Sequence, residues 1–190
     1  MCALQRDLHQ QLRAESIELH QRVAELARPL DPEQLVRRPA AGGWSVGEVL
    51  EHLCITDERY AKPLATLIHR AHVDAAAPLR EWKPSRLGRW VADRLERPAP
   101  MKTPGALKPG MTPRAAVVED FLSRDSRHIH RMDESASLDW QELRLVPPVL
   151  PAFLPALLKF NLGDVYRLHV VHVRRHLAQM ERVVAEVVPH

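Results

Sequence analysis

Residues 164–184 read DVYRLHVVHVRRHLAQMERVV, and the periodicity of this stretch decides how the rest of the chain is understood. Val165, His169, His172, His176, Met180, Val183 and, just beyond, Val187 recur every three or four residues, the spacing that places side chains on one face of an α-helix. Asn161-Leu162-Gly163-Asp164 precedes the run as a cap with an acid in the first turn, so a helix is expected from about Gly163 to Val188. Its three histidines lie on the apolar stripe and therefore point inward. A buried imidazole needs partners for its nitrogens, so this stripe requires a carboxylate network, ordered water or a metal.

The same reading extends outward to three more helices. Leu4, Leu8, Leu12, Leu19, Val23 and Leu26 form a first stripe, which ends near Arg28 because Pro29 disfavours helix before it; Leu30-Asp31-Pro32 continues as a turn. After the loop Gly42-Gly43-Trp44, Ser45 and Glu48 have the spacing of a reciprocal cap, and a second stripe follows through Val46, Val49, Leu50, Leu53, Tyr60, Leu64, Leu67 and Ile68. A short helix is expected around Leu87–Leu95, followed by PAPMKTPGALKPGMTP, residues 98–113, as a long ordered loop. Thr112-Pro113 should open a third long helix through Val117, Phe121, Leu122, Ile129 and Met132, and a second proline-rich connection spans Val146–Pro155. The expectation is an all-α four-helix bundle in one domain, 1–190, with long loops between helices 2 and 3 and between 3 and 4, and with no strand.

Composition agrees. Of 190 residues, 45% are apolar but only 5% aromatic, and the 7 glycines are too few for a hairpin-rich fold. The formal charge of +3 is spread among interleaved acids and bases, which argues against nucleic acid; Arg80–Arg97 is locally basic and reads as a solvated face. The opening MCALQRDLHQ has no apolar signal core and no window reaches membrane-spanning length, so a cytoplasmic protein without membrane contact is expected. Cys2 and Cys54 imply no disulfide framework; the first reads as a terminal thiol, the second as a small packing residue.

Among eleven histidines, His172 and His176 stand one turn apart, a spacing that brings two imidazoles to a common point. HxxxH alone serves structural histidines as readily as metal ligands. His52, midway along the second helix, is the candidate third ligand; its alternative is a hydrogen bond to Glu48 one turn earlier. His9, His20, His69, His72, His128, His130 and His190 share no spacing and read as exposed or edge positions.

Three segments then carry a resemblance: GGWSVGEVLEHL (residues 42–53), KTP with LKP (residues 102–104 and 107–109), and HVRRHLAQM (residues 172–180). Together they resemble the DinB/YfiT-like superfamily of metal-dependent proteins, specifically its DinB-like branch. The resemblance implies an up-down-down-up bundle with a three-histidine metal site at one end, formed here by His52, His172 and His176. His169 would then support the ligands from beside them, and Gln179 would hydrogen-bond near the site. A divalent transition metal is implied, zinc or nickel, with positions left open for substrate. Similar members include thiol-dependent S-transferases and isomerases that use bacillithiol or mycothiol. That implies a low-molecular-weight thiol as cosubstrate and a small electrophilic molecule as its target. A metal-dependent hydrolase is the alternative, with Glu48 as base if it points inward rather than capping Ser45. A non-enzymatic metal-binding or stress-response bundle is the rival from another class. Homodimers are frequent among related bundles, and Arg167, Arg174 and Arg175 read as solvent-facing.

Overall fold

The computed structural model describes residues 3–97, 102–110, 112–148 and 158–187. Six helices account for most of them: α1 (Gln5–Ala27), α2 (Pro32–Val36), α3 (Val46–His69), α4 (Arg86–Glu96), α5 (Val117–Glu134) and α6 (Leu162–Val187). The four long ones pack pairwise, α1 with α5 and α6, and α3 with α5 and α6. Among the described residues no helix is long and apolar enough to cross a membrane.

Each long helix buries the stripe that its sequence carries. Leu12, Leu19 and Val23 of α1 meet Val49, Leu50 and Leu53 of α3, Phe121 and Leu122 of α5, and Val170, Val173 and Leu177 of α6 in one apolar cluster. Full burial of each such side chain contributes roughly 1.5–3 kcal/mol. Cys54 belongs to the same cluster, and burial pushes its thiol up to about 11, so it packs rather than reacts.

Helix starts are fixed by local hydrogen bonds. Ser45 Oγ accepts from the Glu48 amide at 3.2 Å while the Glu48 carboxylate accepts from the Ser45 amide at 2.9 Å, the reciprocal cap that the spacing implied. Gly42 and Gly43 lead into it with φ of 85° and 114°, a left-handed path that costs a residue with a Cβ. At α6 the Asn161 side chain accepts from the Asp164 amide at 2.8 Å and Asp164 accepts from the Asn161 amide at 3.0 Å. Asp164 also accepts from the Ser85 amide, and Trp82 Nε1 donates to Asn161 at 3.0 Å, so the start of α6 is tied to the segment that opens α4.

Three expectations are corrected. Two antiparallel pairs of two-residue strands occur where none was expected: β1 (Ala3–Leu4) with β2 (Glu81–Trp82), and β3 (Arg144–Leu145) with β4 (Phe160–Asn161). They satisfy backbone groups where connecting segments cross, and two residues are too few to leave an alternating pattern. Residues 30–32 do not simply turn, because Asp31 caps Gln34 and Gln34 caps in return, with Pro32 in the first turn, which starts α2. Finally, α5 begins at Val117 rather than at Thr112-Pro113. Pro113 is instead laid against Gly47, where an added Cβ would come within 2.9 Å of its ring. The long loop tightens into a 3-10 turn at Gly105–Leu107, with Leu107 buried. Cys2, His190 and residues 149–155 of the expected Val146–Pro155 connection lie outside the described residues.

Candidate metal centre

His52 stands in the second turn of α3, just beyond the capped start, and His172 and His176 stand one turn apart on α6. Packing of α3 on α6 brings the rings together edge to face, with centroids 4.6–5.0 Å apart. The Nε2 atoms of His52 and His176 each lie 3.1 Å from Nε2 of His172. Three nitrogens bound tetrahedrally at zinc distances would be about 3.3 Å apart, so this spacing suits one small cation.

The tautomers are set from behind. His52 Nδ1–H donates to the Leu107 carbonyl at 2.7 Å, and His176 Nδ1–H donates to Gln179 Oε1 at 2.9 Å. Each ring therefore turns an Nε2 lone pair toward His172, and a neutral His172 has at most one Nε2 proton for the two contacts. A cation among three lone pairs satisfies all of them at once, which is how the donor set fits a metal. Burial lowers the basicity of all three: His52 is depressed, His172 well depressed with His176 and His52 adding to the effect, and His176 falls to about 3. Neutral imidazoles are the form that coordinates. Trp44 stacks beside His176 at 6.3 Å and leans on His52 at 5.0 Å, closing the outer side of the cluster.

The triad lies in the wall of a cavity of about 1190 Å³ lined from α3, α4, α5, α6 and the 102–107 segment. Apolar groups such as Leu53, Tyr60, Leu87, Trp90 and Val91 form much of it, and Arg124, Arg182 and Lys102 add positive charge.

The other residues singled out from sequence fall as follows. Gln179 reaches His176 directly. Glu48 has one oxygen accepting from Ser45 and both engaged by Arg38, and it does not line the cavity. Burial works to raise its pKa, but Arg38 and Ser45 outweigh that and hold it below the ordinary value. Arg167 sits 3.5 Å from Glu96, Arg174 pairs with Glu15, and Arg175 donates to the carbonyls of Leu95 and Arg97. They bind neighbouring elements instead of simply facing solvent.

His169 does not support the triad through a hydrogen bond. Its Nε2–H donates at 2.7 Å to Asp125 of α5, whose other oxygen accepts from His20 Nδ1 of α1 at 2.8 Å. His128 stacks on His169 at 3.7 Å, and its Nδ1 is 4.0 Å from Asp57. This corrects the reading of His20 and His128 as unconnected edge positions: His128 is fully buried. The signal was available, since Asp125 and His128 fall on the α5 stripe with Phe121, Leu122 and Met132, and polar groups on an apolar stripe need partners.

In class, then, this is a mostly helical protein whose cavity wall carries a three-imidazole cluster able to hold a metal ion. The family model of the DinB superfamily matches residues 17–180, and the chain belongs to that superfamily. Searches of curated proteins and of solved structures found no match.

Proposed function

We propose that the protein is a metal-dependent S-transferase, built on an up-down-down-up four-helix bundle in a single domain, that joins a low-molecular-weight thiol to a small electrophilic molecule. The observation that carries this reading is the convergence of His52, His172 and His176 on one point at the wall of a large cavity. Three protein ligands leave coordination positions open, as catalytic rather than structural centres do. A divalent cation held there, zinc or nickel, supplies Lewis acidity that favours the deprotonated form of a thiol near neutral pH.

The remaining work falls to side chains. Leu107 and Gln179 hold His52 and His176 in the tautomer that ligation needs. Leu53, Tyr60 and Trp90 offer the apolar body of an electrophile a dry surface, while Arg124, Arg182 and Lys102 favour one that carries a negative group. The resemblance to thiol-using relatives supports the choice of nucleophile.

The test uses untagged protein. Elemental analysis should find about one divalent metal per chain, lost in His172→Ala. Metal-loaded protein is then assayed with a panel of biological thiols and monochlorobimane or chlorodinitrobenzene. Turnover above the His172→Ala control is expected; none with any pair would refute the transferase reading.

A further inference from the structure

We infer that His169, held by Asp125, is the proton acceptor for the nucleophile that enters the cavity; this rests on the thiol-transfer reading above. Asp125 is buried, yet it stays ionised well below the ordinary carboxylate range because His169 and His20 donate to its two oxygens. Both donors are ring N–H groups, so His169 is fixed with its proton on Nε2 and its Nδ1 is left as the acceptor. Among the described residues Nδ1 makes no hydrogen bond, while the ring retains 17% of its exposure and lines the cavity that holds the triad.

The environment is arranged for a ring that gains and loses a proton without moving. His128 stacks on one face at 3.7 Å, itself kept neutral by burial, so it clamps the ring while adding no fixed charge. Charged and titratable groups around the His169–Asp125–His128 cluster come from every packed helix: His20 on α1, Asp57 on α3, Arg131 on α5, and His172 on α6. The contact that compensates a new positive charge is Asp125. An imidazolium at position 169 would keep Nε2–H on that carboxylate, the relation by which a buried aspartate orients and stabilises a catalytic histidine.

His169 is also well placed for the task, one helical turn before His172 and facing the same cavity. In the step, the thiol S–H bond breaks heterolytically, its electron pair stays on sulfur, and the proton forms a new N–H bond at His169 Nδ1. The sulfur pair then forms a bond to the electrophilic carbon as the leaving group departs with its own pair. Returning the proton from Nδ1 to that group restores the neutral ring, with no net oxidation or reduction.

A purely structural role for the network, pinning α1, α5 and α6 together, makes different predictions. Zinc-loaded wild type, His169→Gln and Asp125→Asn are compared by metal content, thermal midpoint, conjugation kinetics and diethyl pyrocarbonate modification mapped by mass spectrometry. The inference expects zinc retained in both variants and kcat reduced about 100-fold or more, with KM for the electrophile little changed. It also expects His169 to be carbethoxylated in the wild type, and several-fold more slowly in Asp125→Asn, where the ring loses its fixed tautomer. Unchanged kcat in zinc-replete His169→Gln, or no modification of wild-type His169, would overturn it. If the wild type conjugates no thiol, the transferase reading falls by itself. His169 reactivity then decides the dyad alone, with equal rates in wild type and Asp125→Asn counting against it. Should Asp125→Asn fail to fold, His169→Gln and the wild-type modification carry the test.

Discussion

Two oxygen atoms, the Leu107 carbonyl and Gln179 Oε1, govern which nitrogens of His52 and His176 face the centre of the cluster. Replacing Gln179 with Leu removes one of them and leaves the His176 ring free to choose its tautomer. Metal affinity measured by competition with a chromophoric chelator should then fall about 10–100-fold. Proton occupancy makes a second prediction at this scale. His176 titrates near 3 in the fold against an ordinary 6.5, and His52 and His172 are shifted in the same direction. Between those values the unfolded chain binds protons that the folded chain refuses, so stability rises with pH and is lost as pH falls below about 6.5. The metal-free protein should melt at a clearly lower temperature at about pH 5 than at about pH 7.5. An identical midpoint would mean the imidazoles are not shielded as the structure indicates. Asp125 acts in a different window. Its folded value is depressed, so its contribution is present above the ordinary carboxylate range and disappears only in stronger acid.

At the scale of elements, α3 depends on a reciprocal cap that also sets where His52 emerges. Ser45→Ala should cost about 1 kcal/mol in chemical denaturation. The tie between α6 and the segment before α4 is tighter: a Cβ at Gly163 would fall 2.1 Å from Trp82 Nε1, so Gly163→Ala should be more disruptive than Ser45→Ala in the same measurement. What could be read in advance follows from the range of the forces. The cap at Ser45, the α6 stripe and the pairing of His172 with His176 are local, set within about one helical turn, and were legible. The convergence of His52 on that pair needed the family resemblance, because nothing local spans the 120 residues to His172. The Asp125 network escaped because its partners, His20 and His169, are 105 and 44 residues away. Strand pairs of two residues and the displaced start of α5 were hidden for the same reason: crossing segments, not periodicity, decide them.

Considered as a whole molecule, the cavity is a shared product of four helices and the segments that connect them, and the 102–107 loop reaches its chemistry through Leu107. Leu107→Ala should loosen the buried anchor of that loop, lowering metal affinity while leaving the helical circular dichroism nearly unchanged; affinity equal to wild type would show that the carbonyl is held by other means. The same carbonyl has a consequence for the protein during its own manufacture. His52 and Leu107 leave the ribosome long before residues 172 and 176, so a growing chain holds only one of the three imidazoles of the triad until α6 follows. The three-imidazole cluster therefore exists only once α6 has been made and has docked on α3, so any affinity that depends on all three rings arrives with tertiary packing and not during elongation.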